Sequence, residues 1–164
     1  MGGLRALGGL KWNSTLEKLT LKYCSIGALG GECVGKFVVR SSAVKDLSLR
    51  GNPLGPTGVA HVGEALAKNA YMQSIDLADT GFGVDLEAIE SLRDGIESND
   101  SLENVDINLN SLVPAGMQLL LELVRAKPKI TRFEVYERIG EQAFKDMLAA
   151  VAENVKLQKK KKKK

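Results

Sequence analysis

Apolar residues recur along this chain in a fixed pattern of the form L-x-x-L-x-L-x-x-N-x-L, in which x is mostly polar. The alternation L-x-L has the period of a short strand, and the residues after it have the four-residue apolar spacing of a helix. Each repeat therefore predicts one strand followed by one helix. Copies begin at Leu16, Val44, Met72 and Leu102, at spacings of 28, 28 and 30 residues, and a shorter fifth copy begins at Ile130.

Self-similarity at this period, with this apolar spacing, resembles the leucine-rich repeat. A helix after every strand makes the repeats similar to those of the ribonuclease-inhibitor-like subfamily, which includes RanGAP-like proteins. The resemblance implies an α/β solenoid, a right-handed horseshoe arc with a parallel sheet on the concave face and helices on the convex face. Gly58 and its counterparts Gly30 and Gly116 are expected to let helix and strand approach closely.

The repeat register divides the chain into a leucine-rich-repeat domain, residues 1–157, and a lysine tail, residues 158–164. The domain holds a partial first repeat (1–15), the four full copies and a degenerate capping repeat (130–157). The first repeat lacks its strand and leaves Leu4, Leu7 and Leu10 without a polar cap, so we expect a fragment of a longer protein. The last helix should bury one apolar face, made of Phe144, Met147, Leu148, Val151 and Val155.

The third copy is longer than its neighbours, and its additional residues fall in the segment 81–85. A bulged loop at the edge of the array is expected there. Insertions in repeat arrays collect on one rim, where they often contact partners. A loop that is merely tolerated at the surface is the simpler interpretation.

The net charge of +3 depends on the terminal run of lysines, residues 159–164. Without that run, 17 basic residues face 20 acidic ones, so the repeat body is mildly acidic. The tail has three interpretations: an arm that binds RNA, acidic protein tails or anionic lipid; a solvated segment without a partner; or the translation of a poly(A) stretch. Nucleic-acid binding is expected only through this tail, because the body shows no basic cluster.

No catalytic or metal-binding constellation emerges from the motifs. The segment 30–37 matches the phosphate-loop pattern except that Phe37 replaces the hydroxyl residue, and it falls in a predicted helix. His61 is the only histidine and has no partner in register for a triad or a metal site. We therefore expect no cofactor, no metal and no small-molecule substrate.

Cys24 stands where the repeat places Asn or Cys, and a structural thiol bonding the neighbouring turn is expected. Cys33 falls on the helical half and is expected to be buried as a small hydrophobe. Two reduced cysteines, no secretory signal and no apolar stretch long enough to cross a bilayer favour a cytoplasmic protein.

The side chains between the inward-facing leucines point out of the concave sheet and should stack into columns. One column contains Thr20, Ser48, Asp76, Asp106 and Glu134; the second contains Lys22, Arg50, Ala78, Asn108 and Tyr136; the third contains Lys18, Asp46, Ser74, Asn104 and Arg132. The columns predict a surface that is basic near its N-terminal end and acidic across its middle. Within them, the predicted partner-binding residues are Lys22, Arg50, Asp76, Asp106 and Tyr136, and the alternative is an ordinary solvated face.

The resemblance and the absence of catalytic residues predict a non-enzymatic scaffold that binds a protein on its concave face. Cytoskeletal or axonemal association fits such a scaffold. The alternative is a RanGAP-like GTPase-activating regulator, an expectation that rests on likeness of fold. That class would require a catalytic arginine on a repeat loop and a strongly acidic tail, whereas the tail of this chain is basic.

Overall fold

Strands and helices alternate regularly in the computed structural model of the protein, which describes residues 9 and 13–163. The strands are three residues long, and each begins at the third position of its copy of the repeat. Their bounds are β1 Lys18–Thr20, β2 Asp46–Ser48, β3 Ser74–Asp76, β4 Asn104–Asp106 and β5 Arg132–Glu134. Leu4, Leu7 and Leu10 lie outside the described residues.

A helix follows each strand, as the four-residue apolar spacing predicts. The last helix is the longest, and a short 3-10 turn, Glu137–Ile139, precedes it. The helices are α1 Ala28–Arg40, α2 Gly55–Leu66, α3 Leu86–Ser98, α4 Pro114–Ala126 and α5 Glu141–Lys161.

The five strands form one parallel sheet in the order β1-β2-β3-β4-β5, which confirms the predicted solenoid. The central leucine positions pair directly: Leu47 opposes Ile75, and Ile75 opposes Val105. The first apolar residues beyond β2, β3 and β4 are Leu49, Leu77 and Ile107, and they are fully buried between the sheet and the helices. Leu21, beyond β1, is partly buried. A single apolar core therefore runs along the array, because each repeat buries its apolar residues against its neighbours.

Buried asparagines fasten the turns at the C-terminal ends of the strands. The side-chain oxygen of Asn110 accepts hydrogen bonds from the backbone N–H groups of Thr80 (3.1 Å) and Gly81 (2.9 Å). Its amide donates to the carbonyl oxygens of Leu77 and Ile107, both at 2.9 Å. Asn52 bonds the copy that begins at Leu16 in the same way, so each of these asparagines satisfies backbone groups of two repeats at once.

A second series of side chains forms hydrogen bonds between repeats at the opposite edge of the sheet, where the helices end. Asn69 donates to the carbonyl oxygens of Val38 (2.7 Å) and Ser41 (2.9 Å), and Asn99 makes the equivalent bonds one repeat later. At the next equivalent position Lys127 replaces the asparagine, and its Nζ donates to the carbonyl oxygen of Asn99 at 2.7 Å. Both edges of the sheet are therefore held by side chains that bridge repeats.

Glycines bring neighbouring helices into backbone contact. A Cβ at Gly95 of α3 would lie 2.1 Å from the carbonyl oxygen of Gly63 in α2, and one at Gly31 of α1 would lie 2.5 Å from the Cα of Gly58. From the sequence we expected a close approach of helix and strand at Gly58. The approach is instead between consecutive helices, because the narrow repeat packs them side by side.

Both cysteines are exposed, whereas Cys33 was expected to be buried. Cys33 lies about 100° round α1 from the buried Val34, so it faces solvent rather than the core. The Cys24 thiol makes only a 3.3 Å contact with the carbonyl oxygen of Lys22. The bridging role expected of Cys24 belongs to Asn52, whose side chain accepts from the Cys24 backbone N–H at 2.9 Å.

Helix α5 differs from the prediction in its apolar face and in its length. Its buried residues are Met147, Ala150 and Asn154, whereas Leu148 is half exposed because it lies one residue round the helix from Met147. The helix continues through the first lysines of the tail to Lys161. The Gln158 side chain stabilises this extension by donating to the carbonyl oxygen of Pro128 at 2.8 Å.

Candidate functional site

The concave face carries the predicted columns in register. Ser48 pairs with Asp76, Asp76 with Asp106, and Asp106 with Glu134 across β2 to β5. The two additional residues of the third repeat lie outside the strands, so they do not shift this register. Residues of the first and third columns line a shallow groove of about 150 Å³, and Asp76 and Asp106 are neighbours in it.

One guanidinium connects the charges of this face. Arg50 Nε donates to Asp76 Oδ2 at 3.1 Å, and Arg50 Nη2 donates to Asp106. Ser48 donates to the same Asp76 oxygen at 2.8 Å, and Lys22 lies 3.7 Å from it. Together, Lys22, Ser48, Arg50, Asp76 and Asp106 form what we call the concave network, which spans four repeats.

Burial and charge change the proton affinities within the concave network. Burial raises the pKa of Asp106, and the neighbouring carboxylates of Asp76 and Glu134 act in the same direction against Arg50 and a backbone hydrogen bond. Burial acts to lower the pKa of Arg50, but the hydrogen bond to Asp76 and the two carboxylate charges more than offset it and raise that pKa. Both shifts therefore result from partly buried carboxylates that lie close to one guanidinium.

Tyr136 lies on the same face but outside the concave network. Its ring is partly buried, and the guanidinium of Arg138 lies 5.6 Å from the ring centre. Of the five predicted binding residues, the structure thus brings Lys22, Arg50, Asp76 and Asp106 together and leaves Tyr136 apart.

The predicted division into a basic end and an acidic middle is modified by ion pairs within and between strands. Lys18 binds Asp46 at 2.9 Å, and Arg132 binds Glu134. The charges are thus paired between neighbouring columns and strands. The sequence shows which charges share the face, but the pairing depends on the reach of each side chain.

The segment that resembles a phosphate loop has a structural role in a helix. The segment 30–37 lies within α1, where Gly30 and Val34 are buried and Lys36 pairs with Glu32 at 2.5 Å.

Among the described residues, no group of three or more histidine, cysteine, aspartate or glutamate side chains is placed to hold a metal ion. In the same part of the chain, no helix is sufficiently long and apolar to span a membrane.

Comparisons with known proteins agree with the repeat architecture. Residues 13–35 match the family model described as Leucine Rich repeat. The ribonuclease inhibitor of Sus scrofa is 30% identical over 118 residues, which cover 70% of this chain and 25% of that protein. The chain thus spans about a quarter of the length of this relative.

Two solved structures share the fold at low sequence identity. A structure of leiomodin-1 Actin-Binding Site 2 has a TM-score of 0.82 and 12% identity, covering 96% of this chain and 92% of that one. The tropomodulin C-terminal domain of Caenorhabditis elegans has a TM-score of 0.83 and 8% identity, covering 98% of each chain.

The parallel sheet, the bridging asparagines and these matches define a leucine-rich-repeat protein. Within that class, the helix after every strand and the match to a ribonuclease inhibitor show repeats of the ribonuclease-inhibitor-like type.

Proposed function

We propose that this array is a non-enzymatic scaffold that binds a protein partner on its concave face. The observation that carries the proposal is the concave network, which fixes charged groups across neighbouring strands beside a shallow, accessible groove. Charged groups in fixed positions favour one partner over others through complementary charge. Lys22, Arg50, Asp76, Asp106 and Tyr136 remain the proposed contact residues.

Rigidity of the sheet supports this role. Asn52 and Asn110 hold one edge of the sheet, and Asn69 and Asn99 hold the other, each by hydrogen bonds to buried backbone groups. A surface that is already ordered loses little conformational entropy when a partner binds. Short strands that are fixed at both ends therefore suit a binding surface better than mobile loops would.

The relatives are compatible with a protein partner. A ribonuclease inhibitor acts on ribonucleases, as its name states, and the leiomodin-1 segment is an actin-binding site. We extend the proposal to an intracellular, cytoskeletal setting, which the two free thiols also suit. The alternative of a RanGAP-like GTPase activator gains no specific support from the described residues.

A blocking substitution in the groove tests the proposal. Asn104 lines the groove, and the structure gives its side chain no hydrogen bond to another group, so Asn104→Arg should add bulk and one positive charge while preserving the fold. Reversing Asp76 or Asp106 is less selective, because it would also deprive Arg50 of its partners. The matched control is Ala149→Arg, which adds the same charge at an exposed position of α5.

Both variants and the wild type are immobilised and exposed to an extract of the source cells, and bound proteins are quantified by mass spectrometry. Partners retained by the wild type and by Ala149→Arg but lost by Asn104→Arg support the concave face. Partners retained by Asn104→Arg, but lost after deletion of residues 159–164 and released steeply by salt, would assign binding to the tail instead.

A further inference from the structure

The third residue after each of the strands β1 to β4 lies in the left-handed region of backbone conformation. In successive repeats these residues are Tyr23 (φ 53°), Gly51 (φ 68°), Asp79 (φ 55°) and Leu109 (φ 58°), which we call the rim column. Glycine and aspartate adopt this conformation readily. Tyrosine and leucine do so rarely, because their Cβ crowds the following carbonyl oxygen.

Burial does not explain the two unusual residues. Tyr23 is 68% exposed and Leu109 is 50% exposed. The ring of Tyr23 lies over Gly51, and a Cβ added at Gly51 would come within 2.1 Å of this ring. The neighbour of Leu109 in the rim column is instead the exposed Asp79. Leu109 thus combines an unfavourable backbone conformation with little burial, a conflict that is characteristic of functional positions.

The insertion in the third repeat adds apolar surface to the same rim. Val84 is 69% exposed, and the neighbouring Gly83 accepts a hydrogen bond from the Val113 backbone N–H at 2.9 Å. A Cβ at Gly83 would lie 2.8 Å from the backbone of Ser111. The inserted loop is thereby fixed beside the segment that follows Leu109.

We propose that the rim column binds an extended segment of a protein partner in which two large apolar side chains flank a basic one. Neighbouring strands lie about 4.8 Å apart, so Tyr23 and Leu109 are separated by roughly 14 Å across three steps of the array. An extended chain covers that distance in about four residues and places alternate side chains on the same face. Two apolar residues of such a segment would meet Tyr23 and Leu109.

The charge of Asp79 selects the central residue of the segment. Asp79 lies between the two apolar positions, is exposed, and forms no ion pair with any described residue. A lysine or arginine at the middle position would have the reach to contact it. This inference rests on the proposed protein-binding function but moves part of the contact from the concave columns to the rim.

The probe is a synthetic peptide with two leucines and an arginine between them at alternate positions, in a background of serine and threonine. Binding is followed by NMR of isotope-labelled protein. We expect shifts at the Leu109 methyl groups and the Asp79 amide. Control peptides that carry glutamate for the arginine, or serine for the leucines, should bind at least about tenfold more weakly.

Leu109→Asn separates binding from structure. Asparagine favours the left-handed conformation, so this variant should keep or raise the Tm while it weakens peptide binding at least about tenfold. Leu148→Asn is the control, because it removes a leucine of similar exposure (52%) from α5 and should leave peptide affinity unchanged.

Three outcomes would overturn the inference. These are peptide affinity that survives Leu109→Asn, a lower Tm in that variant, and a peptide that shifts no rim residue at millimolar concentration. Shifts confined to groove residues such as Asn104 would refute the rim site and leave the proposed function standing. The proposed function is tested separately, and it fails if the protein partners bind to Asn104→Arg as well as to the wild type.

Discussion

The contact between the backbones of α2 and α3 predicts an unusual response to alanine at Gly95. In an exposed helix, replacing glycine by alanine stabilises by about 1 kcal/mol. At Gly95 the new Cβ would lie 2.1 Å from the carbonyl oxygen and 2.6 Å from the carbonyl carbon of Gly63. These distances are more than about 1 Å inside van der Waals contact, and no side-chain rotation can relieve them, because both atoms belong to the backbone.

The two helices must therefore separate, which loosens the buried contacts of residues such as Leu92 and Val62. Inserting a carbon into a packed core costs about 1–3 kcal/mol, and a contact between backbones belongs at the upper end of that range or beyond. After allowance for helix propensity, we expect Gly95→Ala to lower the free energy of unfolding by about 2–3 kcal/mol. In a chain of this size, that loss corresponds to a Tm decrease of roughly 5–10 °C.

Urea unfolding followed by circular dichroism measures the effect, and Gly116→Ala is the matched control. A Cβ at Gly116 would approach the Cδ1 atom of Ile89 at 2.3 Å, but that atom ends a flexible side chain that can rotate away. The control should therefore lose less than about 1 kcal/mol, within the small range seen where packing can adjust. If Gly95→Ala is as stable as the wild type, or less affected than Gly116→Ala, the packing argument is refuted.

Three further substitutions test the core, the bridging asparagines and the concave network. Leu77→Ala should cost about 2–5 kcal/mol in urea unfolding, because Leu77 is fully buried. Asn110→Ala should cost about 2–4 kcal/mol, since it leaves buried backbone groups of two repeats without partners; a loss below about 1 kcal/mol would argue against the bridging role. The pKa of Asp106 is raised in the folded protein, so its carboxyl group stabilises the fold at low pH. This contribution is lost as the pH rises from the ordinary pKa of aspartate through the raised pKa of the folded protein. Asp106→Asn should remove that trend, so the stability of the wild type relative to the variant should fall across this interval; a difference that rises with pH would contradict the assignment.

The fold follows from the sequence because one pattern is repeated. Leu47, Ile75 and Val105 occupy equivalent positions of successive copies, so stacking the copies fixes their pairing. The concave columns were predictable for the same reason. The additional residues of the third copy left the columns intact because they lie between β3 and α3, where the chain turns.

Other features could not be read from the apolar pattern. The bridge from Arg50 to Asp106 joins residues that are not adjacent in any column, and it depends on the length and direction of one side chain. The exposure of Cys33 and Leu148 depends on which side of each helix meets its neighbour, and a step of one residue turns the side chain by about 100°.

The asparagines at the helix ends could have been found from the sequence. Asn69 and Asn99 are 30 residues apart, and Ser41 and Lys127 stand 28 residues before and after them, in step with the repeats. The apolar pattern obscured this series because it ends each repeat at its last helical leucine or valine. A polar residue at a fixed repeat position therefore deserves the same weight as an apolar one, since buried backbone groups require partners as strictly as apolar surface requires cover.

The rim and the concave face depend on the same supports. Asn110 directly follows Leu109, and its buried side chain ties that turn to the repeat before it through Thr80 and Gly81. These bonds hold Leu109 in a conformation that its own preferences oppose, so the exposed leucine is ordered before any partner arrives. The side chain that stabilises the array thus also positions the proposed anchor. The binding surface therefore keeps its shape, because the buried residues that position it also stabilise the fold.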